Sequence, residues 1–568
     1  MNSISAASPV TASLDDPLYY LKNFRFVLAW VAERYGDLLS ECHVVATFNE
    51  LPEPAQALLV RMIMRKGSQF RTAKLSYVEI GDTDTALAPL FAQGWVEEDP
   101  SLDLDTLFRL LTKAEINRAL GDAIADAGLS ASSAKAVLLD TLRPLLNEPR
   151  SFSRWWPQAP DQVVALTSAA TSDRLRLMFF GNLRQDWAEF VLTELGLQRF
   201  ERVEFNVESR AFQHREEVDA YLHLHRLRER FEAAEPLEAV WQDVPPPSDN
   251  TWLASRRAKL LFQLAREAER RDESDMALEI YRGCTYPEAR VREVRVLERH
   301  GNYRQALMLA EQALAASCGE AEMQHLLRIV PRLHRRLGLP ACKLMEATGV
   351  ETERLDLALP RPLAGGVEAA VCEHLGNAQA PVRYVENTLI GGLFGLLCWR
   401  AIFAPLPGAF FHPFQAAPAD LYREDFVTRR GEIFATCLAE LDDGRYRQTI
   451  RDTYRAKHGL ASSFVHWGVL DESLLEHTLA CLPAAHLKSL FSRLLDDLKA
   501  NRAGLPDLIQ LWPARTEGQR YRLIEVKGPG DRLQDNQRRW LAYFQEHGIP
   551  VTVCHVRWQE ASSVGPTT

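Results

Sequence analysis

The chain is 568 residues long, 46% apolar and 25% charged, with a formal net charge of −10 and a pI near 5.9. That length exceeds what one hydrophobic core sustains, so three or four packed units are expected, and the acidic balance argues against a protein that coats nucleic acid without specificity. No apolar run is long enough to span a bilayer, the opening MNSISAASPVTASLDD lacks a basic, then apolar, leader, and nine scattered cysteines without a C-x-x-C pair exclude a zinc site and a disulfide framework; a soluble intracellular protein with reduced thiols is expected, in the cytoplasm or nucleoid of a bacterium or the nucleus of a eukaryote.

The first patterned stretch, YYLKNFRFVLAWVAERYGDLL, spaces Phe24, Val27, Leu28 and Val31 as one face of an amphipathic helix. LLVRMIMRKGSQFRTAKLSYVEI follows, a helix, a basic turn and a β-prone segment. The order suits a winged-helix-like unit, and a plain helical subdomain suits it as well. Its basic cluster, Arg61, Arg65 and Lys66 followed by Arg71 and Lys74, is the candidate contact to a DNA backbone. Further basic residues gather at Arg256, Arg257 and Lys259 and from Arg290 to Arg304. LDTLFRLLTKAEINRALGDAIADAGLSASSAKAVLLDTLRPLL then reads as short helices around a Gly-Leu-Ser turn. Its outline resembles SAP-type modules that bind duplex backbone, though helix-turn-helix pairs are common. LMFFGNLRQDWAEFVLTELG reads as helix again.

The three prolines of VPPPSDN stop any helix and mark a boundary. Beyond them HGNYRQALMLAEQAL sets Gly301, Tyr303, Ala306, Ala310 and Ala313 at the spacing of half a tetratricopeptide repeat, echoed by Ala277, Tyr281 and Cys284 upstream. One or two degenerate repeats, or an ordinary helical hairpin, are both consistent with this. Repeats of this kind would offer a surface to a protein partner. The expected division is a DNA-binding region at 1–150, a helical connection at 151–247, repeat-like helices at 248–360 and a catalytic domain at 366–568.

In the last third DLIQLWP and YRLIEVKG flank the turn-rich ARTEGQR, the pattern of a β-hairpin. Asp507 opens the first strand, and Glu525 and Lys527 sit two apart on the second, so both leave one face of the sheet. Leu508, Ile509, Leu523, Ile524 and Val526 mark buried strands, and carboxylates beside buried apolar residues require a partner. Two carboxylates and a lysine converging at a strand edge suit a hard divalent ion, Mg²⁺ or Mn²⁺, and hence phosphodiester chemistry. Lys527 then orients a water, accepts its proton, or offsets charge on the transition state. His300, His466 and His555 lack ligand spacing and read as structural.

These residues resemble the motif of the PD-(D/E)XK nuclease superfamily. AGLPDLIQLWP, IEVKGPGDRLQDNQRRWL and VTVCHV resemble its VRR-NUC branch, with Gln537 and Trp540 on the helix after the catalytic strand. YVENTLIGGLFGLLCWRAIF, FQAAPADLYREDFVTRR and FFGNLRQD extend the likeness, so that most of the chain is similar to the Fanconi-anaemia-associated nucleases. The resemblance implies a mostly α-helical N-terminal and middle part joined to a C-terminal α/β domain of restriction-endonuclease type. It implies cleavage of DNA near 5′ flaps and degradation from 5′ to 3′ in interstrand cross-link repair, with one or two divalent ions held by Glu386, Asp507, Glu525 and the carbonyl of Val526. In the family a helix before the sheet carries the glutamate matched by Glu386. Gln537 is expected to orient rather than react. Arg502 matches one position of a basic 5′-phosphate pocket, but the basic residue expected at 536 is replaced by Asn536, and Arg502 stands equally as a surface arginine. Two alternatives accompany this reading: a junction resolvase or restriction-like nuclease, and a noncatalytic adaptor working through its helical repeats.

Overall fold

The computed structural model describes residues 16–39, 42–185, 199–316, 319–340, 352–362 and 365–559. The opening segment read for a leader, and the part of FFGNLRQDWAEF beyond residue 185, lie outside them. The chain forms two compact units, one of Met1–Gln198 with Asn206–Asp219, the other of Arg199–Phe205 with Ala220–Thr568. Among the described residues no helix is long and apolar enough to cross a membrane.

The first unit opens with the amphipathic helix Tyr19–Tyr35, which buries Phe24, Val27, Leu28 and Val31 as their spacing requires. The helix Glu53–Ile63 follows Pro52, and the helix Thr83–Ala92 is capped by Asp82. Three short strands, Gln69–Arg71, Val163–Leu166 and Val96–Glu98, form an antiparallel sheet beside them. The following helices, Leu104–Leu110, Lys113–Ala119 and Gly121–Asp126, lead to Gly128 in the left-handed region at φ +69°, and Lys135–Leu142 follows the turn. Leu107, Phe108, Ile116, Ile124, Leu138 and Leu142 close their common core. Arg210 fastens the returning segment by donating to Asp37 Oδ1 at 2.5 Å and to the Arg34 carbonyl at 3.0 Å.

In the second unit five helices run in succession: α1 Thr251–Arg270, α2 Ser274–Arg282, α3 Ala289–Arg299, α4 Tyr303–Ala315 and α5 Glu320–Leu337. Each packs on the next. Ala277, Tyr281, Ala306, Ala310 and Ala313 all lie in the shared core, so the small residues serve the close helix approach that their spacing suggested. The triple-proline boundary is corrected here: Leu237 and Val240 before it belong to the same core as Leu260 and Leu264 after it. The arginine-rich run is corrected as well. Arg290 is paired with Glu322, and Arg292 and Arg299 with Glu269, so much of that charge is neutralised within the repeat-like helices.

The C-terminal sheet holds β1 Glu353–Leu359, β2 Val382–Tyr384, β3 Leu508–Leu511, β4 Tyr521–Lys527 and β5 Val551–Trp558 in the order β1-β5-β4-β3-β2. β5 runs parallel to β1 and β4, whereas β3 pairs antiparallel with both β4 and β2. Strand alternation divides the apolar residues between two cores. Ile509, Leu511, Leu523 and Val553 face a large helical core that includes Trp540 and Phe544 of α10, and Leu508, Ile524, Val526 and Cys554 face a smaller one with Val371 of α6. Among the helices between the first and last strands are α6 Val367–Leu375, α7 Leu389–Leu397, α8 Gly431–Asp443, α9 Ala484–Asp496 and α10 Asp535–Glu546.

The motif FQAAPADLYREDFVTRR turns out to build the large core. Asp420 and Arg430, 0% and 1% exposed, form a two-pronged ion pair at 2.9 and 3.0 Å. Arg430 Nε also donates to the Ala401 carbonyl at 3.0 Å, its guanidinium lies over the Phe426 ring, and Arg429 adds a second contact to Asp420. Deleting one member leaves the other charged and buried. Asp420→Ala should therefore cost about 3–5 kcal/mol, read as a lower urea midpoint for the second unit. An unchanged midpoint would mean that the pair contributes nothing to this core.

Candidate active site

The β3–β4 register sets Leu508 opposite Ile524 and Ile509 opposite Leu523. Carried one residue further, it places Asp507 opposite Glu525 at the end of the hairpin. By alternation Asp507, Glu525 and Lys527 leave on the face of Ile509 and Leu523, toward α10. The three are 8%, 1% and 7% exposed. Two main-chain bonds fix Asp507: its Oδ2 accepts from Val526 N–H at 2.7 Å, and its carbonyl accepts from Val385 N–H at 2.8 Å. Lys527 Nζ lies 2.8 Å from Glu525 Oε1 and donates to Gln537 Oε1 at 3.1 Å.

Gln537 stands in the first turn of α10, where its Oε1 also accepts from Gln534 N–H at 2.8 Å as half of a capping box. The helix start therefore aims Gln537 at the lysine, and Gln537 reaches the site through Lys527. Gly504, at φ +90°, brings the segment before Asp507 against this helix start. A Cβ there would meet Asn536 atoms at 2.9 Å. Asn536, where a basic residue was expected, is thus a packing position against Gly504.

Burial dominates the electrostatics. It raises the Asp507 carboxyl to about 6, with the Val526 N–H opposing and the Glu386 charge reinforcing the shift. Burial raises Glu525 further, to about 7, reinforced by Asp507 and opposed by Lys527. Glu386 thus acts on both carboxyls. It is not delivered by a helix, as expected, but by the turn between β2 and α7, where Tyr384 O–H donates to its Oε2 and Asn387 Nδ2 to its Oε1 at 3.2 Å. Glu368, in the first turn of α6, also raises Asp507. Sequence reasoning missed it, because a lone acid at a helix start is what the helix dipole favours anyway.

The remaining candidates make other contacts. Arg502 is exposed, with its guanidinium over the Tyr422 ring at 5.1 Å. Arg61, Arg65 and Lys66 belong to the first unit. Arg61 pairs with Glu79 at 2.5 Å and lies over Tyr20 at 4.0 Å, which makes it a structural arginine. Arg65 donates to the Lys74 carbonyl at 2.8 Å and Lys66 is exposed. His300 shares a 2.6 Å hydrogen bond with Ser274, in keeping with a structural histidine.

The donor set fits a hard cation. Glu525 Oε1 is buried without a hydrogen bond, because Lys527 approaches it at 2.8 Å but outside hydrogen-bond geometry. Beside it stands a second carboxylate held by main-chain bonds, and oxygen donors of this kind suit a small divalent ion. Among the described residues no three His, Cys, Asp or Glu side chains form a ready-made cage. The third acid, Glu386, is held by Tyr384 and Asn387.

Residues 441–558 match the VRR-NUC domain, 18–97 the HTH domain of FAN1 and 101–155 the Fanconi anemia-associated nuclease SAP domain. A Fanconi-associated nuclease 1 homolog of Pseudomonas aeruginosa is 52% identical over 97% of this chain and 98% of its own. The rice homolog is 26% identical and human Fanconi-associated nuclease 1 is 23% identical, and in each case this chain spans 62% of the relative's length. Among solved structures, paFAN1 bound to 2nt 5′ flap DNA with gap superposes with a TM-score of 0.85 at 52% identity, covering 97% of this chain and 100% of that one.

The raised carboxyls carry a sign that stability can test. In the unfolded chain both titrate near 4, and in the folded chain at about 6 and about 7. Between these values the folded state binds protons that the unfolded state has lost. Metal-free stability should therefore fall as pH rises from about 4 to about 7. Glu525→Gln removes part of that loss and should melt a few degrees above wild type near pH 8 but no higher near pH 5. A variant that melts identically to wild type at both pH values would contradict the burial argument.

Proposed function

The chain belongs to the Fanconi-associated nuclease family and is a DNA-cleaving hydrolase, and we propose that it cuts DNA at 5′ flaps through a centre built on Asp507, Glu525 and Lys527. The observation that carries this reading is the buried pair of carboxylates facing a lysine across one hairpin end. The flap substrate is supported by the 5′ flap DNA bound in the paFAN1 structures that this chain matches along nearly its whole length. Degradation from 5′ to 3′ and a role in cross-link repair accompany the family assignment.

A divalent ion, Mg²⁺ or Mn²⁺, held by Asp507, Glu525, Glu386 and the Val526 carbonyl would polarise water and neutralise phosphate charge. The protein's own groups do the rest. Val526 N–H fixes one oxygen of Asp507, and the other would be the one offered to the ion. Lys527 is an ammonium with three N–H donors. Gln537 takes one and Glu525 holds the group at 2.8 Å, so donor capacity remains for a phosphate oxygen, where charge grows during displacement. Gln537 positions the lysine and touches no reacting atom. Burial of the set excludes bulk water and strengthens each of these interactions.

DNA is held in this reading by the helix-turn-helix and SAP-like parts, with Arg65 and Lys66 on phosphate and Arg502 near the nuclease face. The helical repeats supply a surface for a protein partner. A junction resolvase would cut a four-way junction in preference to a flap, and an adaptor would cut neither.

Single-turnover cleavage of a labelled 5′ flap across a Mn²⁺ series tests the centre. Asp507→Ala and Glu525→Ala should lose cleavage by at least about three orders of magnitude while flap affinity holds or rises, since each removes negative charge facing phosphate. Lys527→Ala should bind metal and flap yet lose about 10²–10³ in the chemical step. Glu386→Ala should follow Asp507→Ala. Full activity of Asp507→Ala would overturn the nuclease centre proposed here.

Paired Arg65→Glu and Lys66→Glu should weaken binding to duplex-containing substrates. The log–log slope of affinity against salt should flatten by about 0.9 for each phosphate no longer neutralised. Their single-turnover rate at saturating protein should match wild type. A slowed chemical step at unchanged affinity would place these residues elsewhere than on the backbone.

A further inference from the structure

Two separate loops deliver the acids of the centre: the β2–α7 turn carries Glu386 and the 502–507 segment carries Asp507. Something must fix the distance between them, and the structure shows what does. Asn387 adopts φ +52°, in the left-handed region that side chains other than glycine rarely occupy. Asparagine tolerates that conformation when its side chain bonds locally, and here both ends of the amide are engaged. Oδ1 accepts from Leu505 N–H at 3.1 Å, and Nδ2 donates to Glu386 Oε1 at 3.2 Å. The assignment of oxygen and nitrogen follows from the partners, because a main-chain N–H needs an acceptor and a carboxylate needs a donor. Pro506 has no N–H, so Leu505 is the last main-chain donor before Asp507.

We propose that Asn387 is a positioning residue of the metal centre: it locks the Asp507 loop to the Glu386 turn and orients the Glu386 carboxylate, so that the two acids are spaced for one divalent ion. The inference rests on the assignment of Asp507 and Glu386 as ligands made above. Other residue types perform only part of the task. Glycine accepts the backbone angle but makes neither bond. Aspartate keeps the acceptor but sets an anion against Glu386. Alanine loses both bonds and adds left-handed strain. Val385 N–H, bonded to the Asp507 carbonyl at 2.8 Å, ties the same two segments a second time, so loss of Asn387 loosens the spacing without separating the loops.

The experiment counts Mn²⁺ bound to the full chain, by electron paramagnetic resonance of the free ion, without DNA. Melting in metal-free buffer and single-turnover flap cleavage across the same Mn²⁺ series accompany it. Asn387→Gly should melt only slightly below wild type, bind Mn²⁺ about 10–100-fold more weakly, and regain the wild-type cleavage rate at high Mn²⁺. Asn387→Ala should weaken Mn²⁺ to the same extent but melt lower still, which separates positioning from backbone strain. Wild-type Mn²⁺ affinity in Asn387→Gly would overturn the proposal, as would a cleavage defect that no Mn²⁺ concentration restores. Asp507→Ala is the reference: if that variant bound Mn²⁺ like wild type, the ligand assignment itself would fall, whatever Asn387→Gly did.

Discussion

Two carboxylates, Asp507 and Glu525, are buried side by side at one end of a β-hairpin, and the architecture of the C-terminal domain follows from what that burial demands. Removing like charges from water is unfavourable unless something answers them. The sheet supplies a main-chain N–H to Asp507, and the strand and α10 supply Lys527 held by Gln537. These answers are incomplete, since burial still holds both carboxyls above their usual range. An incompletely compensated acidic pair is the arrangement that a divalent cation completes.

The period of the strands does much of the positioning. Residues 508, 524 and 526 turn to the small core and residues 509 and 523 to the large one, so Asp507, Glu525 and Lys527 extend the large-core face beyond its apolar part. A slip of one residue would put the acids into the small core and the leucines into the site, and burial on both faces makes such a slip prohibitive. The helix that covers this face carries Trp540 and Phe544 in the core and Gln537 one turn earlier at the lysine. One amphipathic helix thereby packs the sheet and holds the Lys527 ammonium.

Charged residues in this chain do three kinds of work, and their surroundings separate them. Asp420 and Arg430 are fully paired inside the large core and hold it in one arrangement. Arg290 pairs with Glu322, and Arg292 and Arg299 share Glu269, so part of their charge is answered within the helices. Arg65 and Lys66 are exposed, and among the described residues neither has its charge cancelled by a neighbouring acid in the way Glu79 cancels Arg61. Exposed charge of the last kind is what a local basic surface on an acidic chain requires.

The sequence by itself determined what depends on local period and composition. The helix faces of residues 24–31, the hairpin around ARTEGQR, the shared face of Glu525 and Lys527, and the repeat-like alanines of 277–313 all follow from periods of two or 3.6 residues. The buried acids of the hairpin were legible because a strand fixes their direction within a few residues. Tertiary structure alone decided what depends on contact between distant segments. The VPPPSDN prolines interrupt a helix without dividing a core, because Leu237 and Leu260 pack together across them. Glu386 comes from a turn, Glu368 joins from another helix, and Asn387 bridges to Leu505 across 118 positions of chain. Arg61 and Arg65 look alike in sequence, yet one is tied to Glu79 and the other is not. Hydrogen bonds and ion pairs of this kind are set by where the two cores close. No spacing along the chain encodes them.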